Sequence, residues 1–328
     1  MRILAVTNMY PKPQAPGLGI FVEQQIKGLR GLGVEVDLVF LDRFHDGMRV
    51  YKGVGSKIRS KTEEFKPDLI HIMYGGVMAD LVTKSVDSFP TVVTFHGSDL
   101  LGENLSGFWR TIISRLGMYA SWRAARRANG IIVVSKILQE ALPKFIPKSK
   151  VSIIPCGIDL ERFQVLDREL CCKRLDWDPN CFNILFNGNS DDPVKRPYLA
   201  RQAVKALQQC GIYTQLYEMR GVPNQQVPMW LNASDVILLT SLHEGSPTII
   251  KEALACNVPV VSVDVGDVRE RIDGIAGCHV ALPDVQDISE KLALVFKNQT
   301  KIDGRSKIED LSLGRVASQL VSFYEKFL

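Results

Sequence analysis

The sequence predicts an α/β protein built from two doubly wound domains. Short strand patterns and helical patterns alternate along the 328 residues, as they do in repeated strand–helix–strand units with parallel sheets. The strand patterns are nearly all apolar, which is typical of strands that helices cover on both faces. The alternation restarts near residue 183, and the chain is long enough for a second sheet of the same kind.

Each predicted strand is a short run of mainly apolar residues. The strands are Arg2–Thr7, Glu35–Leu41, Leu69–Met73, Thr91–Phe95, Gly130–Val134, Val151–Pro155, Asn183–Asn187, Thr214–Tyr217, Val236–Thr240, Pro259–Val263 and Gly277–Ala281. Helical patterns lie between most of them, including Val22–Leu32, Trp109–Ala128, Arg201–Gln209, Ser246–Ala255 and Ile288–Phe296. A last helix, Leu313–Phe327, is compatible with packing on either domain.

An irregular stretch between residues 156 and 182 separates the two alternating halves. We therefore take residues 1–160 as an N-terminal Rossmann-like domain and residues 161–310 as a C-terminal one. Residues 311–328 form a C-terminal helix that is free to cross back to the N-terminal domain. Two such domains leave a cleft between the carboxyl ends of their sheets, where open α/β sheets bind ligands.

The composition is that of a globular protein, with 46% hydrophobic and 23% charged residues. No uninterrupted apolar run reaches the roughly 18 residues that predict a membrane span. The amino end lacks the long apolar region and the cleavage site of a signal peptide. The 7 cysteines include no CxxC pair and fit no zinc template, so we expect reduced, buried thiols and a cytoplasmic location.

The charge is unevenly distributed along the chain. Residues 1–160 carry 21 Lys and Arg against 14 Asp and Glu, a net charge of +7, whereas the remainder is mildly acidic. The helix around Trp109–Arg127 interleaves apolar residues with arginines, so it either lies on an anionic membrane surface or packs with a solvated basic face. Nucleic acid is not an expected partner, because no RNP-type, zinc or helix-turn-helix signature occurs.

Two glutamates, Glu244 and Glu252, flank the start of a predicted helix. Glu244 follows the strand Val236–Thr240, Glu252 lies about two turns into the helix Ser246–Ala255, and Pro247 fits its first turn. A rise of ~1.5 Å per residue puts the carboxylates ~12 Å apart along the axis. That separation is too large for an acid–base pair and suits two contacts on one elongated ligand, with helix N–H groups between them. A nucleoside diphosphate sugar has that shape, and two solvated glutamates are the alternative.

Three other strand ends carry candidate ligand groups. The loop after the first strand contains Gly19, which lets backbone approach a phosphate, although GxGxxG is absent. His96 follows the fourth strand and is either a ligand of a sugar hydroxyl or a structural hydrogen-bonding residue. Lys195 and Arg196 follow the first strand of the second half, where they either neutralise a diphosphate leaving group or are solvated.

Together these residues resemble the retaining glycosyltransferases of family four, the group 1 glycosyltransferases with the GT-B fold. The resemblance covers nearly the full chain and is strongest over Asp235–Pro259, which holds the Glu-x7-Glu pattern. Next is Ile154–Phe163, IPCGIDLERF, which looks like the interdomain hinge segment of the family. The resemblance implies two Rossmann-like domains facing across a cleft, with the acceptor on the first and the nucleotide sugar on the second.

The resemblance also implies roles for individual residues. Glu244 would face the donor sugar near its reacting carbon, Lys195 would stabilise the departing diphosphate with help from Arg196, and His96 would contact the donor sugar near the acceptor. Glu252 would bond the ribose hydroxyls, and Gly19 would let the first loop close on the phosphates. The backbone amides of one loop would hold the sugar and diphosphate, namely those of Gly245, Ser246, Pro247, Thr248 and Ile249. A second loop, which contains Arg220 and Val222, would lie beside the base.

The chain departs from the family pattern at informative positions. Many relatives carry an Arg where this chain has Asn189, so the diphosphate contact would rest on Lys195. The loop after Glu244 reads Gly-Ser-Pro rather than the commoner Phe-Gly variant, so the sugar is not indicated. No Asp-x-Asp sits at a strand end, and Asp191 and Asp192 are adjacent in a loop, so we expect metal-independent chemistry without a cofactor besides the donor substrate.

The function that this resemblance implies is transfer, with retention at the anomeric carbon, of a sugar from a UDP- or GDP-linked donor to a glycan or lipid-linked acceptor. A role in cell-envelope polysaccharide biosynthesis is expected, with peripheral contact at the inner membrane face through the basic N-terminal domain. Two alternatives stay open: a non-hydrolysing nucleotide-sugar epimerase and a non-catalytic nucleotide-sugar or glycan-binding protein. A nicotinamide dehydrogenase is disfavoured because GxGxxG is missing.

Overall fold

The chain forms two compact units, each built around a parallel sheet. The computed structural model describes residues 1–86, 88–102, 108–188 and 193–328, with the backbone alone for residues 108–110. Unit 1 comprises Met1–Gly157 and Leu313–Leu328, and unit 2 comprises Ile158–Ser312. The bounds proposed from the sequence, at residues 160 and 310, lie within three residues of these divisions.

In the described residues up to Gly157, unit 1 contains six strands and seven α-helices. The strands are β1 (Arg2–Thr7), β2 (Glu35–Phe40), β3 (Leu69–Ile72), β4 (Thr91–Phe95), β5 (Gly130–Val133) and β6 (Val151–Ile153), and the helices are α1 (Ile20–Gly31), α2 (Arg43–Asp46), α3 (Val54–Phe65), α4 (Gly76–Ser85), α5 (Ser98–Leu101), α6 (Phe108–Arg127) and α7 (Lys136–Ala141). The strands pair in parallel in the order β2-β1-β3-β4-β5-β6.

The described part of unit 2 repeats this organisation with five strands. The strands are β7 (Phe182–Phe186), β8 (Thr214–Glu218), β9 (Val236–Leu239), β10 (Val260–Val263) and β11 (His279–Ala281), and the helices are α8 (Arg168–Leu175), α9 (Pro197–Gln209), α10 (Val227–Ala233), α11 (Thr248–Ala255), α12 (Val268–Ile272) and α13 (Val285–Asn298). The sheet is parallel throughout, in the order β11-β10-β9-β7-β8. A last helix, α14 (Leu313–Tyr324), belongs to unit 1.

The eleven predicted strands are confirmed, each with its ends within two residues of the predicted bounds. They are predictable because both faces of each sheet are covered. In β1, Ile3 and Ala5 pack with α1 and α14, whereas Leu4 and Val6 pack on the opposite face with α3 and α4. The sheet of unit 2 divides its alternate side chains between two clusters in the same way. Doubly wound α/β units, as predicted, are therefore what the structure shows.

The seven cysteines are all free thiols. Five of them are buried, as expected, but Cys278 is half-buried and Cys210 is exposed. Cys210 departs from the expectation because it ends α9, where the chain turns toward β8 at the surface.

The C-terminal helix α14 completes the core of unit 1. Its buried side chains Val316, Ala317 and Leu320 join the cluster that α1 and β1 form. Tyr324 is fully buried, and its hydroxyl lies 2.7 Å from Nδ1 of His71 on β3, whose Nε2 lies 2.6 Å from Oγ1 of Thr94. Burial lowers the pKa of His71 to about 3, so the imidazole is neutral and bridges two hydroxyl groups.

We expect Tyr324→Phe to destabilise unit 1, because it leaves a buried imidazole nitrogen without its hydroxyl partner. The expected loss in free energy of unfolding is about 1–3 kcal/mol. Tyr119→Phe, at a half-exposed position on α6, is the matched control and should change it by less than about 0.5 kcal/mol. Urea unfolding followed by circular dichroism measures both, and equal stabilities of the two variants would contradict the role given to the His71 bridge.

Candidate functional site

The strand order of unit 2 reverses direction between β7 and β9. Open α/β sheets bind ligands at such a switch point, beyond the carboxyl ends of the strands. Lys195 lies in the segment that follows β7, and Glu244 lies in the loop that follows β9. Nζ of Lys195 and Oε1 of Glu244 are 2.6 Å apart. The structure thus brings together two residues that are 49 positions apart in the sequence.

Several hydrogen bonds tie these two segments to each other. The hydroxyl of Thr240 donates to the carbonyl of Lys195 at 2.7 Å, and the backbone N–H of Leu242 donates to the carbonyl of Val194 at 2.7 Å. The hydroxyl of Ser241 donates to Oε1 of Glu244 at 2.7 Å, so this carboxylate oxygen holds two donors. The positions of Lys195 and Glu244 are therefore fixed by backbone as well as by their own ion pair.

Arg196 also joins the segments that follow β7 and β9 through hydrogen bonds. Its Nε donates to the carbonyl of Thr240 at 2.6 Å, and one Nη donates to the carbonyl of Ser241 at 2.9 Å. Burial lowers the pKa of Arg196, and its backbone is left-handed, with φ of 49° just before α9. The guanidinium is thus engaged with the loop after β9. Its part in holding a diphosphate stays a prediction.

Glu252 lies on α11 and is 5% exposed. Helix α11 begins at Thr248 because Pro247 has an extended backbone, with ψ of 115°. The prediction that Ser246 and Pro247 lie inside this helix is therefore wrong, and Glu252 lies little more than one turn from its start. Burial raises the pKa of Glu252 to about 7, and the nearby charges of Arg162 and Lys251 oppose that rise.

Sequence reasoning missed Arg162 and Asn224. The guanidinium of Arg162 donates to the carbonyl of Asn224, which lies in the loop after β8, and its charge also acts on the carboxyl of Glu252. Arg162 belongs to the segment IPCGIDLERF that carries the resemblance, and this position in the sequence could have identified it as a candidate site residue. Asn224 is buried and had no such signal.

The loop after β8 also contains Arg220 and Val222, the two residues predicted to lie beside the base. Val222 packs against the core of unit 2, whereas the half-exposed Arg220 lies 3.5 Å from the carboxylate of Glu218. Both residues belong to the same loop as Asn224 and hence follow the edge strand β8. Their predicted contact with a base stays a prediction.

The loop between Glu244 and α11 consists of Gly245, Ser246 and Pro247, and the predicted donor-binding residues Thr248 and Ile249 begin the helix. Ile249 is in the hydrophobic core, so its N–H is the group that it can offer to a ligand. Thr248 is the first residue of α11, where N–H groups have no partner within the helix. Gly245 lies against Gly266, at which a Cβ atom would come within 2.9 Å of the Gly245 carbonyl oxygen. The loop therefore packs closely against the segment that contains Gly266.

His96 occupies the carboxyl end of β4 in unit 1. The backbone N–H groups of His96, Gly97 and Gly75 all donate to the carboxylate of Asp99, at 2.8–3.2 Å. Burial raises the pKa of Asp99 to about 6. The imidazole of His96 lies 4.2 Å from the ring of Phe21, centre to centre, and its Nδ1 is 3.6 Å from Sγ of Cys156. Asp99 and Cys156 were not predicted as site residues.

 Unit 1 has a cavity of about 130 Å³ that is lined by the segments after β1, β3 and β4 and by part of α6. The cavity of unit 1 lies where the strand order reverses between β1 and β3. The polar residues that line it are Asn8, Arg43, Tyr51, Tyr74, Ser98, Asp99 and Ser114.

The first loop of unit 1 ends at Gly19, whose φ of 67° is left-handed. A Cβ atom at this position would lie 2.3 Å from the carbonyl carbon of Met9, so the loop folds back on its own beginning. This close approach explains why a glycine stands immediately before α1. The predicted closure of the loop on phosphates stays a prediction.

Helix α6 packs against α4 and presents basic side chains. Arg123 and Arg127 both bind the carboxylate of Asp80, at 2.5 and 2.7 Å. Ile113 and Leu116 are 61% and 59% exposed, so part of the apolar sequence pattern does not reach the core. The side chains of Trp109 and Arg110 lie outside the described residues. Contact of this helix with a membrane surface stays a hypothesis.

Within the described parts of the chain, no three His, Cys, Asp or Glu side chains are grouped so as to hold a metal ion. Asn189, Asp191 and Asp192 lie outside the described residues, so the predictions about them stay predictions. Among the described helices, none is both long and apolar enough to cross a membrane.

Comparisons with known proteins agree on one family. The family model Glycosyltransferase Family 4 matches residues 16–162, and the model Glycosyl transferases group 1 matches residues 181–298. The chain is 29% identical over 329 residues to the teichuronic acid biosynthesis glycosyltransferase TuaC of Bacillus subtilis, covering 82% of each chain. These matches together span most of both units.

Solved structures show the same fold. Sucrose-phosphate synthase from Thermosynechococcus elongatus matches with a TM-score of 0.77 and 15% identity over 99% of both chains. HepE of Anabaena in complex with UDP matches with a TM-score of 0.72 and 16% identity over 99% of this chain and 100% of that one. At these identities the likeness establishes the fold, which is GT-B as predicted.

We expect Gly19→Ala to destabilise unit 1, because alanine disfavours the left-handed backbone by about 1–2 kcal/mol and its Cβ overlaps Met9. Gly17→Ala is the matched control in the same loop, since a Cβ atom there has no neighbour within 4 Å. Thermal unfolding should show a lower Tm for Gly19→Ala and an unchanged one for Gly17→Ala. Equal Tm values for the two variants would refute the packing described for this loop.

Proposed function

Because the chain belongs to the family 4, group 1 glycosyltransferases, we propose that it transfers a sugar from a UDP- or GDP-linked donor, with retention at the anomeric carbon. The observation that carries the proposal is the ion pair of Lys195 and Glu244 at the switch point of unit 2. Both side chains remain partly exposed, at 24% and 17%, so a ligand can reach them.

The proposed reaction places negative charge on the leaving diphosphate. The bond between the anomeric carbon and the diphosphate oxygen breaks while the acceptor oxygen forms its bond on the same face. The acceptor proton passes to the departing diphosphate, so atoms and charge balance. An ammonium group placed in advance stabilises this charge more in the transition state than in the ground state. We assign that role to Lys195, which Glu244 holds in place at 2.6 Å.

The remaining donor contacts follow from the same geometry. The N–H groups at the start of α11 are suited to phosphate oxygens, because the first turn of a helix leaves them without partners. We assign the ribose hydroxyls to the carboxyl of Glu252 and the sugar to Glu244. The UDP complex of HepE, a protein of the same fold, supports a nucleotide donor.

The acceptor side of the proposal rests on unit 1. We propose a glycan or lipid-linked acceptor near His96, and the name of TuaC supports a polysaccharide pathway. The net charge of +7 over residues 1–160 supports an anionic acceptor or an anionic membrane surface. A cytoplasmic location with peripheral contact at the inner membrane face belongs to the same proposal.

Turnover of candidate donors tests the function. UDP- and GDP-sugars are first screened by thermal shift, and release of nucleoside diphosphate is then measured with acceptor. We expect Glu244→Ala to abolish release and Lys195→Ala to lower kcat by about 100-fold or more. Lys205→Ala, an exposed lysine on α9, is the matched control and should retain wild-type turnover. A rearranged nucleotide sugar formed without acceptor, or full activity of both site variants, would overturn the proposal.

The pKa of Glu252 predicts how nucleotide binding changes with pH. Because this pKa is raised to about 7, the carboxyl becomes ionised as pH rises through neutrality. A carboxylate accepts hydroxyl hydrogen bonds more strongly than the neutral acid, so we expect UDP or GDP affinity to rise about fivefold between about pH 6 and 8. Glu252→Gln should lack that component in calorimetry, and an identical pH profile in the variant would contradict the ribose contact.

A further inference from the structure

A lysine that the proposed mechanism does not use is buried beside the loop Gly245–Pro247, which follows Glu244. Lys251 is 0% exposed, and its Nζ donates to Oγ of Ser246 at 2.5 Å. The hydroxyl of Ser246 donates to Oδ2 of Asp267 at 2.8 Å, and Nε of Arg271 donates to the same oxygen at 2.8 Å. We call these four residues the buried lysine cluster.

The two oppositely charged residues at the centre of this cluster, Lys251 and Asp267, are almost completely buried. Asp267 is 3% exposed and Ser246 is 9% exposed, and Nζ of Lys251 lies 3.8 Å from Oδ2 of Asp267. Removing an ammonium and a carboxylate from water is costly, and a buried ion pair is weak evidence of a contribution to stability. A specific conformation that the charges impose is the alternative reason to retain such a pair.

The cluster acts on one short loop. Asp267 immediately follows Gly266, whose φ is 57° and whose Cα faces the carbonyl of Gly245 so closely that a Cβ atom would lie 2.9 Å from it. Ser246 and Pro247 form the rest of the loop, and α11 follows directly. The segment around Asp267 therefore packs on the same residues that its side chain binds.

The hydrogen-bond directions around Ser246 are defined by its partners. An ammonium can only donate, so Ser246 Oγ accepts from Lys251, and its own hydrogen is directed to Asp267. With both groups engaged, the side chain is restricted to one rotamer, and the adjoining peptide groups are fixed with it. A nucleophilic serine is a different possibility, which is disfavoured because Ser246 is 9% exposed and its hydroxyl already donates to the carboxylate of Asp267.

We propose that Lys251 and Asp267 are positioning residues that act through the Ser246 hydroxyl. They hold the loop of Gly245–Pro247 in the conformation in which its N–H groups and the start of α11 bind the second phosphate of a nucleoside diphosphate. This inference rests on the proposed function. It adds to that function a physical source for discrimination between nucleoside diphosphates and monophosphates.

The test compares binding of UDP with UMP, and of GDP with GMP, by calorimetry on the full chain. We expect the wild type to bind the preferred diphosphate at least about tenfold tighter than its monophosphate. Ser246→Ala, Lys251→Met and Asp267→Asn should each reduce that ratio to within about threefold while leaving monophosphate affinity unchanged. In turnover assays these variants should raise KM for the nucleotide sugar more than they lower kcat.

Two controls separate positioning from a general loss of structure. Ser234→Ala removes a buried hydroxyl before β9, at the opposite end of the strand, and should keep the wild-type ratio. Ser246→Thr retains the hydroxyl, so it should keep most of the wild-type ratio of diphosphate to monophosphate affinity. Where Lys251→Met does not fold, Ser246→Ala and Asp267→Asn decide the question.

The outcomes for the two proposals are distinct. A wild type that discriminates, with variants that discriminate equally well, overturns the positioning role and leaves the proposed function intact. A wild type that binds none of the four nucleotides, and turns over none of their sugars, overturns the proposed function itself.

Discussion

The candidate site of unit 2 depends on the tie between the segments that follow β7 and β9. In a parallel sheet these segments emerge side by side where the strand order reverses, but the sheet alone does not bring their side chains into register. Arg196 does so by donating to the carbonyls of Thr240 and Ser241, and Thr240 returns a bond to the carbonyl of Lys195. These neutral acceptors satisfy a partly buried guanidinium, and the tie places Lys195 within 2.6 Å of Glu244.

The fold was predictable because apolar runs and buried strands coincide when helices cover both faces of a sheet. The docking of α14 was not predictable, because its apolar face would suit either unit; the choice rests on packing with α1 and on the bond between Tyr324 and His71. The start of α11 was misplaced because proline is compatible with a first helical turn and with the extended residue that precedes it. Arg196 was predicted to share a ligand with Lys195 because the two residues are adjacent in the sequence. In the structure its guanidinium donates instead to backbone carbonyls of the loop after β9.

The two units organise their strand ends with opposite charges. In unit 1 a buried carboxylate, Asp99, accepts N–H groups from two turns and thereby fixes the backbone at His96. In unit 2 a buried ammonium, Lys251, fixes the backbone after Glu244 through a serine. In both units a buried charged group orders a loop. Its hydrogen bonds are stronger than those of a neutral group because the protein interior has a low dielectric constant. Sequence patterns reveal neither, because each depends on contacts between different loops.

Lys195 and Lys251 carry the same charge, but their different burial gives them different roles. Lys195 keeps 24% of its side chain exposed and has a carboxylate partner that is itself accessible, so an incoming anion can share it. Lys251 is enclosed by Ser246 and Asp267 and has no exposed surface, so a ligand cannot contact it. Its influence on a bound diphosphate must pass through the loop that it orders. A charge placed in this way contributes to recognition by fixing N–H directions before the ligand arrives, which avoids an ordering cost at the moment of binding.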